Sequence, residues 1–160
     1  MTLGLSIETL TFVHVLISLI AIATGIVWLV DLVGNRARDG MTAVFLATTV
    51  LTSVTGFMFP ATQFLPSHLF GVISLIVLPA AIYGLYGAKL TGRWRLAYVI
   101  GGTFALYLNV FVLIVQGFLK VPALNALAPT QGEPPFAIAQ GILLVATVAL
   151  GYLAVKRYRV

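Results

Sequence analysis

Five stretches of the chain are almost wholly apolar, with short polar segments between them. They run from about Ile7 to Val33, Met41 to Phe59, Ser67 to Leu90, Trp94 to Leu119 and Phe136 to Val155. Each reaches or approaches the ~20 residues that carry a helix through the apolar core of a bilayer. Asn35-Arg36-Ala37-Arg38-Asp39-Gly40 is a polar turn after the first stretch, and Leu90-Thr91-Gly92-Arg93 another after the third. The second stretch is the shortest and is closed by Pro60. Ser67 is placed to cap the third helix. Lys120 to Pro135 holds Pro122, Pro129, Pro134 and Pro135 and cannot be one regular helix. Its apolar Val121, Leu124 and Leu127 are expected along the membrane surface. The pattern predicts an all-α fold: one integral-membrane domain over residues 1–160, a five-helix transmembrane bundle.

A finer period runs inside the stretches. Thr11, His14, Ser18, Ala21 and Gly25 recur at spacings of three and four, as do Thr48, Thr52 and Thr55 in the second stretch. Gly102, Ala105, Asn109, Val112 and Gln116 mark the fourth, and Gln140, Leu144, Thr147 and Gly151 the fifth. In lipid, small and weakly polar residues belong on helix–helix faces, where they allow close approach and shared hydrogen bonds. These stripes are therefore expected to point into the bundle.

Composition agrees with the pattern. The chain is 61% hydrophobic and 8% charged, with a mean hydropathy of +1.10. Soluble domains lie nearer 45–50% apolar and about 25% charged, so the solvent for these helices is lipid. The net charge of +5 would suit a nucleic-acid partner only if the basic residues clustered on one surface. Instead they occupy the short connections, so no nucleic-acid partner is expected. The first stretch lacks a basic leader and is too long for a signal-peptide core, so it reads as a membrane span. No cysteine is present, which excludes thiolate metal sites and covalent haem attachment.

Charge also orients the bundle. Five spans put the first and third connections and the C-terminus on one side. That side then holds Arg36, Arg38, Lys89, Arg93, Arg95, Lys156, Arg157 and Arg159, eight of the nine Lys and Arg, leaving Lys120 opposite. The positive-inside bias predicts a cytoplasmic C-terminus and an outward N-terminus in a bacterial inner membrane. Trp28, Trp94, Tyr98 and Tyr158 fall toward the cytoplasmic boundary and suit an aromatic belt.

Counting residues outward from the cytoplasmic charges places His14, Thr55, His68, Gln116 and Gln140 within about one helical turn of the outer boundary, with Asn109 about two turns deeper. Histidine in a bilayer faces protein or a water-filled cavity. With no deep carboxylate in any span, His14 and His68 are the candidate ligands, and three chemistries are open. Two neutral imidazoles on facing helices can hold one b-type haem, walled by Phe12, Phe57, Phe59 and Phe70, for electron transfer near the outer face. The same layer, with Thr55, Asn109, Gln116 and Gln140, can hydrogen-bond a quinone or other small molecule. Third, His14 and His68 with Glu8 or Glu133 can bind a divalent metal or form part of a proton path. Against all three stands a non-enzymatic accessory subunit, its polar layer serving only helix packing, with a membrane-protein partner or a second copy of itself. No nucleotide-binding, zinc-protease or serine-hydrolase motif is present.

Four segments carry a resemblance: Leu51-Thr52-Ser53-Val54-Thr55-Gly56-Phe57, Pro66-Ser67-His68-Leu69-Phe70-Gly71, Ala105-Leu106-Tyr107-Leu108-Asn109-Val110-Phe111, and Ala128-Pro129-Thr130-Gln131-Gly132-Glu133-Pro134-Pro135-Phe136. Together they resemble a family of small multi-pass bacterial inner-membrane proteins of unassigned activity. The resemblance implies class and compartment. The histidines on separate helices also resemble, loosely, cytochrome b561-type proteins, which implies haem; a second histidine pair toward the cytoplasmic side is missing.

Overall fold

Long apolar runs without interior breakers form long helices, since in lipid each backbone N–H and C=O must be satisfied within its own segment. The computed structural model describes residues 6–60 and 66–159, with only the backbone of Pro66 and Ser67. All regular structure among them is helical: α1 (Ile7–Val33), α2 (Asp39–Gly56), α3 (Pro66–Ile82) continuing into a π turn (Tyr83–Gly87), α4 (Trp94–Lys120), α5 (Pro122–Leu127) and α6 (Pro134–Arg157). Among the described residues, four helices are long and apolar enough to cross a membrane: α1, α3 with its π turn, α4 and α6. The chain is thus an all-helical, multi-pass membrane protein.

The helices begin and end for local reasons. Ser6 caps α1 by accepting the Thr9 N–H. At the other end Asn35 takes a positive φ of 54°, a conformation asparagine tolerates, and turns the chain back beside Asp31. α3 starts at Pro66, a favoured first residue because its missing N–H has no helical partner to lose. Ser67 therefore lies in the first turn and is not the cap that the sequence suggests; the connection 61–65 lies outside the described residues. Pro79 removes one N–H from inside α3, and the helix widens into the π turn one turn later. Gly84 is required there, because a Cβ would sit 2.8 Å from the Trp94 carbonyl oxygen. The proline-rich segment folds as α5 and a tight turn. Val121 and Leu127 of this segment are exposed, and Leu124 leans toward Gly117.

Short connections make neighbouring helices antiparallel. Along the α1–α2 contact, Gly25 meets Phe45 at one end and His14 meets Thr55 at the other. Along α4–α6, Arg95 reaches Val155, Gly151 abuts Thr103, and Gln140 reaches Phe111. α1 packs on α2, α4 and α6, whereas α3 packs on α2 and α4.

The core is concentrated at the basic end. Trp28, Leu32, Phe45, Leu78, Tyr98 and Val99 are all buried there. Trp28 Nε1–H donates to the Tyr98 hydroxyl, which also bonds with Thr42. Arg95 donates to the backbone carbonyls of Val155 and Tyr158, at 3.0 and 2.6 Å. Trp28, Tyr98 and Tyr158 are thus interior residues, 2%, 1% and 6% exposed, and not the lipid-facing belt that their position suggests. Of the four aromatics only Trp94 is exposed. Asp31, the last charge of α1, is also buried, with Arg36 Nε and Arg38 Nε 3.6 and 3.1 Å from its carboxylate. Arg36 and Arg38 reach it only because the chain reverses at Asn35.

Candidate functional site

The far end of the bundle carries the histidines. α2 brings three groups to it: Thr55, Phe57 and Phe59. Thr55 follows the habit of three other hydroxyls of that helix, whereas the buried Thr52 hydroxyl has no partner. Thr48, Thr49, Ser53 and Thr55 each donate to the carbonyl four residues back, at 2.6 to 3.0 Å. This local bonding hides hydroxyls from lipid.

His14 Nδ1 lies 2.8 Å from Thr55 Oγ1. The threonine has one hydroxyl proton, and the Leu51 carbonyl takes it at 2.7 Å. Thr55 Oγ1 is then an acceptor toward His14, and the proton between them belongs to Nδ1. That assignment leaves Nε2 of the neutral imidazole as a bare lone pair, able to accept a hydrogen bond or bind a metal. The ring is half-buried, and Phe59 meets it edge-on with centroids 5.3 Å apart.

His68 occupies the first turn of α3. Its ring stacks on Phe57, with centroids 5.7 Å apart and planes 19° from parallel. Gly71, one turn on, leaves the space for this: a Cβ there would meet the Phe57 ring at 2.9 Å. The two histidines thus address different aromatic residues of the α2 terminus. α2 packs against both α1 and α3.

The remaining predicted residues are spread along α4 and α6. Asn109 Nδ2 lies a long 3.4 Å from Thr49 Oγ1. Gln116 is exposed. Gln140 Nε2 donates to the Phe111 carbonyl at 3.2 Å, while its Oε1 is buried without a partner. Of the six residues, the structure joins His14 directly to Thr55, leaves His68, Asn109 and Gln140 in separate contacts, and exposes Gln116. Among the described residues, no three of His, Asp and Glu come together as a metal cluster. Phe12 is 69% exposed, and Phe70 packs on Phe111.

Two features escaped sequence reading. Gln131, in the turn before α6, donates to the Val115 carbonyl at 2.9 Å and fastens that turn over the end of α4. Phe57 and Phe59 contact the imidazoles individually, which neither spacing nor composition indicates. No protein-family model, curated protein or solved structure matches the chain.

Proposed function

We propose that the protein is a five-span bacterial inner-membrane protein, N-terminus outside, whose outer layer binds the quinol form of a lipophilic quinone through His14. The fifth span is α2. Its 18 residues rise about 27 Å, close to the ~30 Å hydrocarbon core. It stays antiparallel to α1 from Phe45 to Thr55, and the hydroxyls of Thr48, Thr49, Ser53 and Thr55 are bonded to its own carbonyls.

The observation that carries the ligand reading is the His14–Thr55 hydrogen bond. It orients the imidazole and leaves Nε2 as acceptor for a quinol hydroxyl. Phe12, Phe57 and Phe59 supply apolar surface at the same end of the bundle, open to the lipid in which a quinone is dissolved. Electron transfer through a b-type haem held by His14 and His68 takes second place. The Nε2 lone pair suits one axial ligand, but α1 and α3, which carry the two rings, are each packed on α2. Bound, a haem would supply one-electron chemistry; His14 would hold it and Thr55 would orient His14.

Extraction of the purified full chain tests this. Wild-type protein should yield co-purifying lipophilic quinone, reduced at least ten-fold in His14→Ala and partly in Thr55→Val, with no Soret band. A Soret band lost in both His14→Ala and His68→Ala would favour haem. Neither quinone nor colour after expression with ample supply of both would contradict the ligand reading. The accessory-subunit reading would then stand. It is favoured by α6, whose Ile138, Ile142, Val145, Val148 and Tyr152 form an exposed apolar stripe along its whole length.

A further inference from the structure

A groove of about 510 Å³ lies between α2 and α3 in the basic half of the bundle, away from the histidines. Leu78 forms its fully buried floor, and Val50, Pro79 and Ile82 are among its walls. Tyr83 and Tyr86, both exposed, stand toward its foot at the π turn. Its shape follows from the sequence. Pro79 cannot continue the hydrogen-bond ladder of α3, and the widened turn after it ends on Gly87, which has no side chain.

The length of the groove selects its occupant. From Leu75 to Gly87 the helix rises about 18 Å, comparable with one leaflet, half of the ~30 Å apolar core. A helix from a second copy would need a complementary face through both leaflets; one acyl chain needs one. Charge selects the headgroup. Lys89 and Arg93 are exposed just beyond the foot of the groove, and both ion pairs among the described residues belong to Asp31. Trp94 stands beside them, edge-on to Tyr83 at 4.7 Å, at the height where an interfacial indole sits.

We propose that this groove is a binding site for an anionic phospholipid of the leaflet bordering the basic end. One acyl chain lies over Leu78 between Val50 and Ile82, and the phosphate is held by Lys89. Pro79 and the π turn make room for the chain. The site is independent of the quinone reading and of which compartment faces the basic end.

Fluorescence quenching tests it in the full chain reconstituted into vesicles. Trp94 is exposed beside the groove wall and Trp28 is buried, so brominated acyl chains quench mainly Trp94. Brominated phosphatidylglycerol mixed with plain phosphatidylcholine, and the reverse pair, give the relative affinity at that site. Wild type should prefer phosphatidylglycerol by about five-fold, the ratio one lysine contributes near an anionic headgroup. Lys89→Gln should lower the ratio, Lys89→Gln together with Arg93→Gln should bring it to about one, and Lys89→Arg should keep it. Val50→Phe, which fills the groove from the α2 side, should lower quenching by both lipids while Trp28 emission stays unchanged. Equal affinity in wild type would overturn the proposal, as would an undiminished preference when both Lys89→Gln and Arg93→Gln are in place. Shielding of Trp94 from both lipids in a particle of two chains would assign the groove to a second copy.

Discussion

A buried indole needs an acceptor for its N–H, and Trp28 finds one in Tyr98. Tyr98→Phe keeps the ring and removes the hydroxyl that serves Trp28 and Thr42. It should cost about 1–2 kcal/mol of stability, read as a lowered midpoint in detergent unfolding. Gly102 serves the same ring. A Cβ there would sit 2.4 Å from Trp28 Cη2, so Gly102→Ala forces the largest buried side chain to move. A loss of about 1–3 kcal/mol is expected. Gly141→Ala is the control, since nothing lies within 4 Å of its added methyl, and the helix should be unharmed or slightly firmer. Equal losses at Gly102 and Gly141 would show that the Trp28 contact does not set the cost. Position along the chain put Trp28 and Tyr98 at the right end of the bundle but not on the right side of their helices. Counting residues gives depth along a helix axis. Rotation about that axis depends on neighbours that no single stretch reveals, and an aromatic near an interface suits lipid and core equally well.

At the level of elements, uninterrupted apolar runs told most. α1 spans the same Ile7–Val33 that the hydropathy marks out, and α4 starts at the same Trp94, because length and the absence of breakers leave few alternatives. The π turn was not legible: Pro79 signals a break in the ladder, but its resolution depends on Trp94 packing against Gly84. The histidine layer shows the same limit. His14 and Thr55 face each other because α1 and α2 are sequence neighbours with a short reversal. The meeting of His14 and His68 depended on an α1–α3 contact that adjacency does not supply. The turn before α6 has a pH-dependent lock of its own. Desolvation opposes ionisation of Glu133, but the Thr130 hydroxyl and backbone amide donate to the carboxylate and outweigh it, holding the group below its ordinary value. A depressed carboxyl contributes its bonds above the ordinary carboxylate range and loses them as pH falls through the lowered value. Protection of the Thr130 amide from exchange, relative to its intrinsic rate, should therefore be full at neutral pH and fall as the Glu133 carboxylate is protonated in acid, and Glu133→Gln should abolish that dependence. Protection of the Thr130 amide indifferent to pH would contradict the lock.

The whole molecule is packed unevenly. The basic end holds the buried aromatics, the Asp31 ion pairs and the Arg95 clasp on the chain end; the histidine end has half-buried rings and exposed phenylalanines. A tight anchor at one face and an accessible layer at the other suit the lipid-soluble ligand proposed for the histidine end. Both that layer and its distance from the basic end depend on α2 crossing the bilayer. The native chain has no cysteine, so one introduced thiol can be read without background. The deciding measurement is the sidedness of labelling by a membrane-impermeant maleimide in Ser6→Cys and Arg159→Cys, in intact cells and inverted vesicles. Five spans predict Ser6→Cys labelled only from outside and Arg159→Cys only from the cytoplasm. Labelling of both from the same side would contradict the five-span arrangement, and with it the outer position of His14.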